Sequence, residues 1–224
     1  MSNQLPEIIF EAGGGGNHVR WLLSVHPEFN HIFCPEVDKR VDWICKNVYT
    51  NRSWNNWLSV EWKYRQQLNN IFKIDYSLVQ PGESFNDPDW QQRRQLIILY
   101  DNINIMAMHY FMVNIGLNNQ TLDVVIKGMT EWRDELIKAR DLLTINHKMF
   151  IISDCLAEKN LDRDWYNKVI AWAGYTDCYD QANQVQQQYY QTRKIAMQDF
   201  INYFTGPEFK QHLDFYQQLL DSDK

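Results

Sequence analysis

The chain has 224 residues, enough for one α/β-sized domain or two small ones with a sizeable core. Its formal net charge of −6 argues against a general nucleic-acid binder, because such domains are usually basic. Hydrophobic residues make up 45% and charged residues 22%, the balance of an ordinary globular protein, and no stretch reaches the ~18 uninterrupted apolar residues of a membrane span.

The opening MSNQLPEIIF carries no basic segment and no long apolar one, so no secretory signal is visible and a cytoplasmic protein is expected. Ile8, Ile9 and Phe10 then form a short apolar run of the length and branching of a buried strand. Four glycines follow, Gly13, Gly14, Gly15 and Gly16, and Asn17–Leu23 reads as the first turns of a helix. A strand, a glycine loop and a helix together aim backbone N–H groups and a helix N-terminus at an anion. Glycine suits that loop because it tolerates positive φ and lets a phosphate or sulfate approach the backbone. The loop is not a Walker A motif: no Lys follows the glycines, and no Ser or Thr occurs before Ser24.

His26-Pro27 marks a break, and Glu36–Tyr49 places Val37, Val41, Ile44, Cys45 and Val48 at helical spacing. Asn51–Asn69 gives a second amphipathic pattern through Trp54, Trp57, Leu58, Trp62 and Leu68. Phe72–Val79 alternates as a strand does, Gln80–Glu83 is a turn, Ser84–Arg94 a polar loop, and Gln95–Tyr100 the clearest buried strand. Helices are predicted over Asn102–Ile115 and Thr121–Leu143, then a strand over Lys148–Ile152. Leu161–Ala173 reads as a helix stopped by Gly174. A long helical pattern covers Thr176–Phe204, with Gln184–Gln191 as a solvated face, and a last helix is expected around Glu208–Leu220.

Short strands alternating with helices predict a single α/β domain over 1–224, with a mostly parallel central sheet between two helical layers. Ligands of such sheets bind at the carboxyl ends of the strands, which brings Ala12–His18, Asp101–Asn104 and Ser153–Asp154 together. The four cysteines, Cys34, Cys45, Cys155 and Cys178, show no metal-ligand spacing, so no metal is expected. The 14% aromatic content suits a core and its interfaces, or an aromatic-lined acceptor site.

The glycine loop and helix resemble the 5′-phosphosulfate loop of the P-loop sulfotransferases, roughly [PG]-[KR]-S-G-T-T-x-L-x-x-x-L. That family's central strand runs into a helix as L-V-R-N-P-R-D-V-A-L-S-Y-Y, and Leu99–Phe111 reads L-Y-D-N-I-N-I-M-A-M-H-Y-F, matching at Asn102, Ala107 and Tyr110. Ile152–Leu156 is similar to its Y-E-D-L segment, and Trp165–Gly174 to its helix ending F-L-G. The resemblance implies a P-loop NTPase-like, three-layer α/β/α fold. It also implies sulfuryl transfer from PAPS, or binding of PAP or another phosphate- or sulfate-bearing ligand, with a hydroxyl or amine as acceptor.

Carried over residue by residue, the resemblance assigns cofactor binding to Gly13, Gly14, Gly15, Gly16, Asn17 and His18, and to Asp101 and His109. The family's loop Lys falls on Gly13 or Gly14, its 3′-phosphate Arg on Asp101, and the Ser sharing that task on His109. An Asp repels a phosphate by the Coulomb term that an Arg uses to bind it. Catalytic candidates are His18, Arg20 and Glu83; Arg20 is either a clamp curling back to the loop or a solvated helix residue. Asp101 and Asp154 are acids or bases, or helix caps. The expected partner is a small anionic ligand, with neither nucleic acid nor membrane. Two functions stand: group transfer from a nucleotide-linked anionic donor, and a non-catalytic scaffold that binds an anion or a protein. The Trp-rich segment Trp54–Trp62 leaves a helical interaction protein as a third class.

Overall fold

A computed structural model of the chain describes residues 7–10, 15–49, 73–75, 94–100, 148–152, 154–203, 206–207 and 210–221, with single positions between 124 and 137. The expected helices over Asn51–Asn69 and Asn102–Ile115 lie outside them, as do Gln80–Glu83 and the loop of Ser84–Arg94 up to its last residue. Four parallel strands form one sheet in the order β2-β1-β3-β4, with β1 Glu7–Phe10, β2 Lys73–Asp75, β3 Gln95–Leu99 and β4 Lys148–Ile152. The expected parallel neighbours β1, β3 and β4 are therefore adjacent, and the protein is α/β.

The central strands β1 and β3 are buried on both faces, which is why they read as continuous apolar runs rather than alternating ones. Ile8 pairs with Leu96 and Phe10 with Ile98, and these join Ile151 in a core built with the helices. Ile9, Ile97 and Leu99 point the other way and pack with Phe150, Ile152 and the helical Ile137. Fully burying a Leu or Ile contributes roughly 1.5–3 kcal/mol, so β3, buried at all five positions, is a main anchor.

The helices are α1 Gly16–Ser24, α2 Arg40–Asn47, α3 Arg163–Ala173, α4 Tyr179–Tyr203 and α5 Lys210–Asp221. The helix expected over Glu36–Tyr49 is divided, because Val37–Lys39 is a 3-10 turn leading into α2. Arg40 sits at that junction and donates to the carbonyls of Ser24, His26, Cys34 and Pro35. One guanidinium thus satisfies the chain turning back after α1, where no regular ladder exists.

Helix α3 starts at Arg163 because Asp162 caps it, its carboxylate accepting from Trp165 N at 2.6 Å. It stops at Gly174, whose φ of 74° is left-handed and whose N–H donates to Ile170 O at 2.8 Å. Helix α4 begins three residues later than the sequence pattern, because Thr176 is held elsewhere. Its N–H donates to Glu28 Oε1, and its carbonyl accepts from His26 Nδ1. Helix α4 then packs against α1, α2 and α5. No helix among the described residues is long and apolar enough to cross a membrane.

Candidate functional site

The chain leaves β1 toward β2 on one side and leaves β3 toward β4 on the other. The strand order reverses between β1 and β3, and in open parallel sheets the crevice at the carboxyl ends there is the ligand position. Two segments emerge at this point: the β1–α1 turn, and Tyr100 directly after β3.

Gly15 is the N-cap of α1 with φ 79° and ψ 4°, a left-handed conformation that costs a side-chain-bearing residue about 1–2 kcal/mol. Gly16 is required for a different reason. A Cβ there would stand 2.0 Å from Phe10 Cδ1, so the helix start lies directly on the ring that ends β1. The helix opens with Gly15 O accepting from Val19 N at 3.0 Å, and no side chain caps it. The N-cap therefore gives the first-turn N–H groups, and the positive end of the helix dipole, no side-chain acceptor.

Leu156 and Tyr100 stand beside Gly15, and Arg193 is bonded to Leu156. From the position a Gly15 Cβ would take, Leu156 Cδ1 is 3.2 Å away and the Tyr100 hydroxyl 3.9 Å. That hydroxyl is buried with no hydrogen-bond partner among the described residues. Burial pushes its pKa up, only partly opposed by the Arg193 charge, so Tyr100 stays a protonated donor. Arg193, from α4, is completely buried; its Nη1 donates to Leu156 O at 2.8 Å, and its Cζ lies 5.5 Å from the Tyr189 ring centre.

His18 completes the other wall. Its ring stacks on Tyr189 with centroids 3.7 Å apart, and both nitrogens are engaged: Nδ1 with Tyr49 Oη at 2.8 Å and Nε2 with Gln186 Oε1 at 2.7 Å. Gln186 Nε2 donates to the carbonyls of Leu156 and Glu158, so Oε1 is the acceptor toward the imidazole. The proton accordingly sits on Nε2, and Nδ1 accepts from the Tyr49 hydroxyl. Burial drives the His18 pKa down to about 3, with the Arg193 charge adding to it against the Gln186 bond, and the ring is neutral.

Of the residues singled out in the sequence, Gly15, Gly16, Asn17, His18 and Arg20 are gathered at the start of α1; Gly13, Gly14, Glu83, Asp101 and His109 lie outside the described residues. Arg20 is fully buried, not solvated. Asp154 opens a 3-10 turn after β4 and bears electrostatically on Tyr100. The solvated reading of Gln184–Gln191 is corrected: Gln186 is fully buried, and Gln188 donates to Tyr49 O. Gln186, Tyr189 and Arg193 escaped the sequence reading, although their i, i+3, i+7 spacing marks one helix face. Among the described residues no group of His, Cys, Asp or Glu is placed to hold a metal ion. Comparison with protein-family models, curated proteins and solved structures finds no match to this chain.

Proposed function

We propose that this chain is a sulfotransferase-like protein on a P-loop scaffold that binds a nucleotide-linked, phosphate- or sulfate-bearing small molecule at the β1–α1 turn. The observation that carries the reading is the left-handed Gly15 cap, which opens the start of α1 over the Tyr100 hydroxyl at the β1/β3 crevice. The finer fold belongs to the same proposal. A three-layer, P-loop-like architecture is supported by central strands buried on both faces and by β1 lying between strands that follow it in sequence.

Sulfuryl transfer is the activity the resemblance carries. In that reaction the acceptor oxygen or nitrogen attacks sulfur, the bridging P–O–S bond breaks toward the phosphate, and the acceptor proton needs a base. One observation favours the non-catalytic alternative. The His18 imidazole of the turn spends its only lone pair on the Tyr49 hydroxyl and its only N–H on Gln186. The 3′-phosphate subsite of the usual donor is also weakened, because Asp101 and His109 stand where the resemblance calls for Arg and Ser.

A thermal-shift panel of PAPS, PAP, ATP, GTP and sulfate tests the binding claim. A ligand at a hundred times its Kd stabilises the native state by about 2.7 kcal/mol. At least one phosphate- or sulfate-bearing ligand is expected to raise Tm; no shift with any of them would refute the reading.

A further inference from the structure

We infer that Arg193 and Tyr100 complete this site as ligand-binding residues, and that the group they hold is a tetrahedral oxyanion, the phosphate of a monoester or a sulfate. The inference rests on the reading of the β1–α1 turn given above, and adds to it the cation and the chemistry of the bound group.

Arg193 is the reason. A guanidinium has no pH at which it sheds its charge in a protein, and burying a charge without compensation is costly. Arg193 is fully buried, yet among the described residues its partners are one carbonyl and one aromatic ring. Among the described residues, its nitrogens without a hydrogen-bond partner are Nε and Nη2. These two share one edge of the planar group, and their N–H bonds run parallel; Nη1, on the opposite side, is the one spent on Leu156 O. The edge left over is therefore the two-pronged fork that matches two oxygens of a phosphate or sulfate.

Tyr100 supplies the second, independent indication. Its hydroxyl is buried, has no hydrogen-bond partner among the described residues and lies near Gly15. The two side chains belong to one place, since Arg193 grips the backbone of Leu156 while the Leu156 side chain touches the Gly15 position. Tyr189 and His18 form the far wall, and Tyr216 of α5 also feels the Arg193 charge. On this inference the ligand takes the Arg193 fork, the hydroxyl of Tyr100 just after β3 and N–H groups of the first turn of α1. The parallel fork matches two oxygens of a tetrahedral anion, whose other oxygens remain for the hydroxyl and the N–H groups, whereas a halide offers a single atom.

The test is a titration of the full chain with inorganic phosphate and with sulfate, against chloride at matched ionic strength, read as the shift in Tm. The variants are Arg193→Met, Tyr100→Phe and Gly15→Val. Wild type is expected to gain stability with both oxyanions. Losing charge-assisted hydrogen bonds weakens the apparent affinity at least about tenfold in Arg193→Met and by a smaller factor in Tyr100→Phe. In chloride alone, Arg193→Met should melt no lower than wild type, because a volume-matched apolar side chain replaces an uncompensated charge. If Arg193→Met does not fold, Arg193→Lys takes its place: it keeps the charge, loses the fork and should also bind more weakly. Wild-type affinity in the Arg193 and Tyr100 variants, with loss only in Gly15→Val, would overturn this inference and leave the turn reading standing. No response in wild type would overturn both.

Discussion

Replacing His18 with Gln separates a structural imidazole from a chemical one. The side chain is buried between α1 and α4, and its pKa is lowered to about 3 from 6.5, chiefly by burial. A histidine whose folded pKa is depressed contributes stability that is fully present above pH 6.5. That stability is lost as the pH falls from 6.5 toward 3, because the unfolded chain takes up a proton that the folded one refuses. Each pH unit in that window is worth about 1.4 kcal/mol, so lowering the pH from 7 to 4.5 removes about 2.5 kcal/mol through this one group. Gln places an amide nitrogen near the old Nε2 and retains the donor to Gln186, but it does not titrate. The assay is urea unfolding of wild type and His18→Gln at pH 7 and pH 4.5. Groups common to both proteins cancel in the difference, including His31, whose pKa burial lowers to about 4. Wild type should lose about 2.5 kcal/mol more than the variant over that range. Equal losses in the two proteins would mean that the imidazole takes up a proton in the folded state, and the account of a neutral His18 locked by Tyr49 and Gln186 would be wrong.

Gly16→Ala should cost about 1–3 kcal/mol in urea unfolding, because its Cβ would overlap the Phe10 ring, and Phe10→Leu should recover part of the loss. Asp162→Ala removes the carboxylate that accepts from Trp165 N, and should lower stability by about 1 kcal/mol without altering oxyanion binding. Calorimetric titration should find PAP and adenosine 5′-phosphate bound with equal, weak affinity; a clear preference for PAP that disappears in Asp101→Ala would show a rebuilt 3′-phosphate subsite.

The sheet was legible because parallel strands buried on both faces leave uninterrupted apolar runs, as at Gln95–Leu99 and Glu7–Phe10. Gly174 and the glycine turn were legible because a left-handed backbone narrows the choice of residue. The far wall of the site was not. Gln186 read as part of a solvated face and Arg193 was not singled out, and what buries them is remote in sequence. Gln186 meets His18 across 168 positions and Arg193 meets Leu156 across 37. The same distance hid the role of His18, whose residue type suggests chemistry while its partners Tyr49, Gln186 and Tyr189 make it a packing element. Tyr100 was read as the last residue of a strand; its significance lies in a hydroxyl that reaches Gly15, a contact set by the order of β1 and β3 rather than by any local pattern.

The most direct measurement is a crystal structure of the full chain grown in ammonium sulfate. A sulfate should lie at the β1–α1 turn within hydrogen-bond distance of the first-turn N–H groups of α1, the Tyr100 hydroxyl and the Nε–Nη2 edge of Arg193. Sulfate bound only elsewhere, or a turn whose N–H groups are closed by the chain's own atoms, would contradict the account.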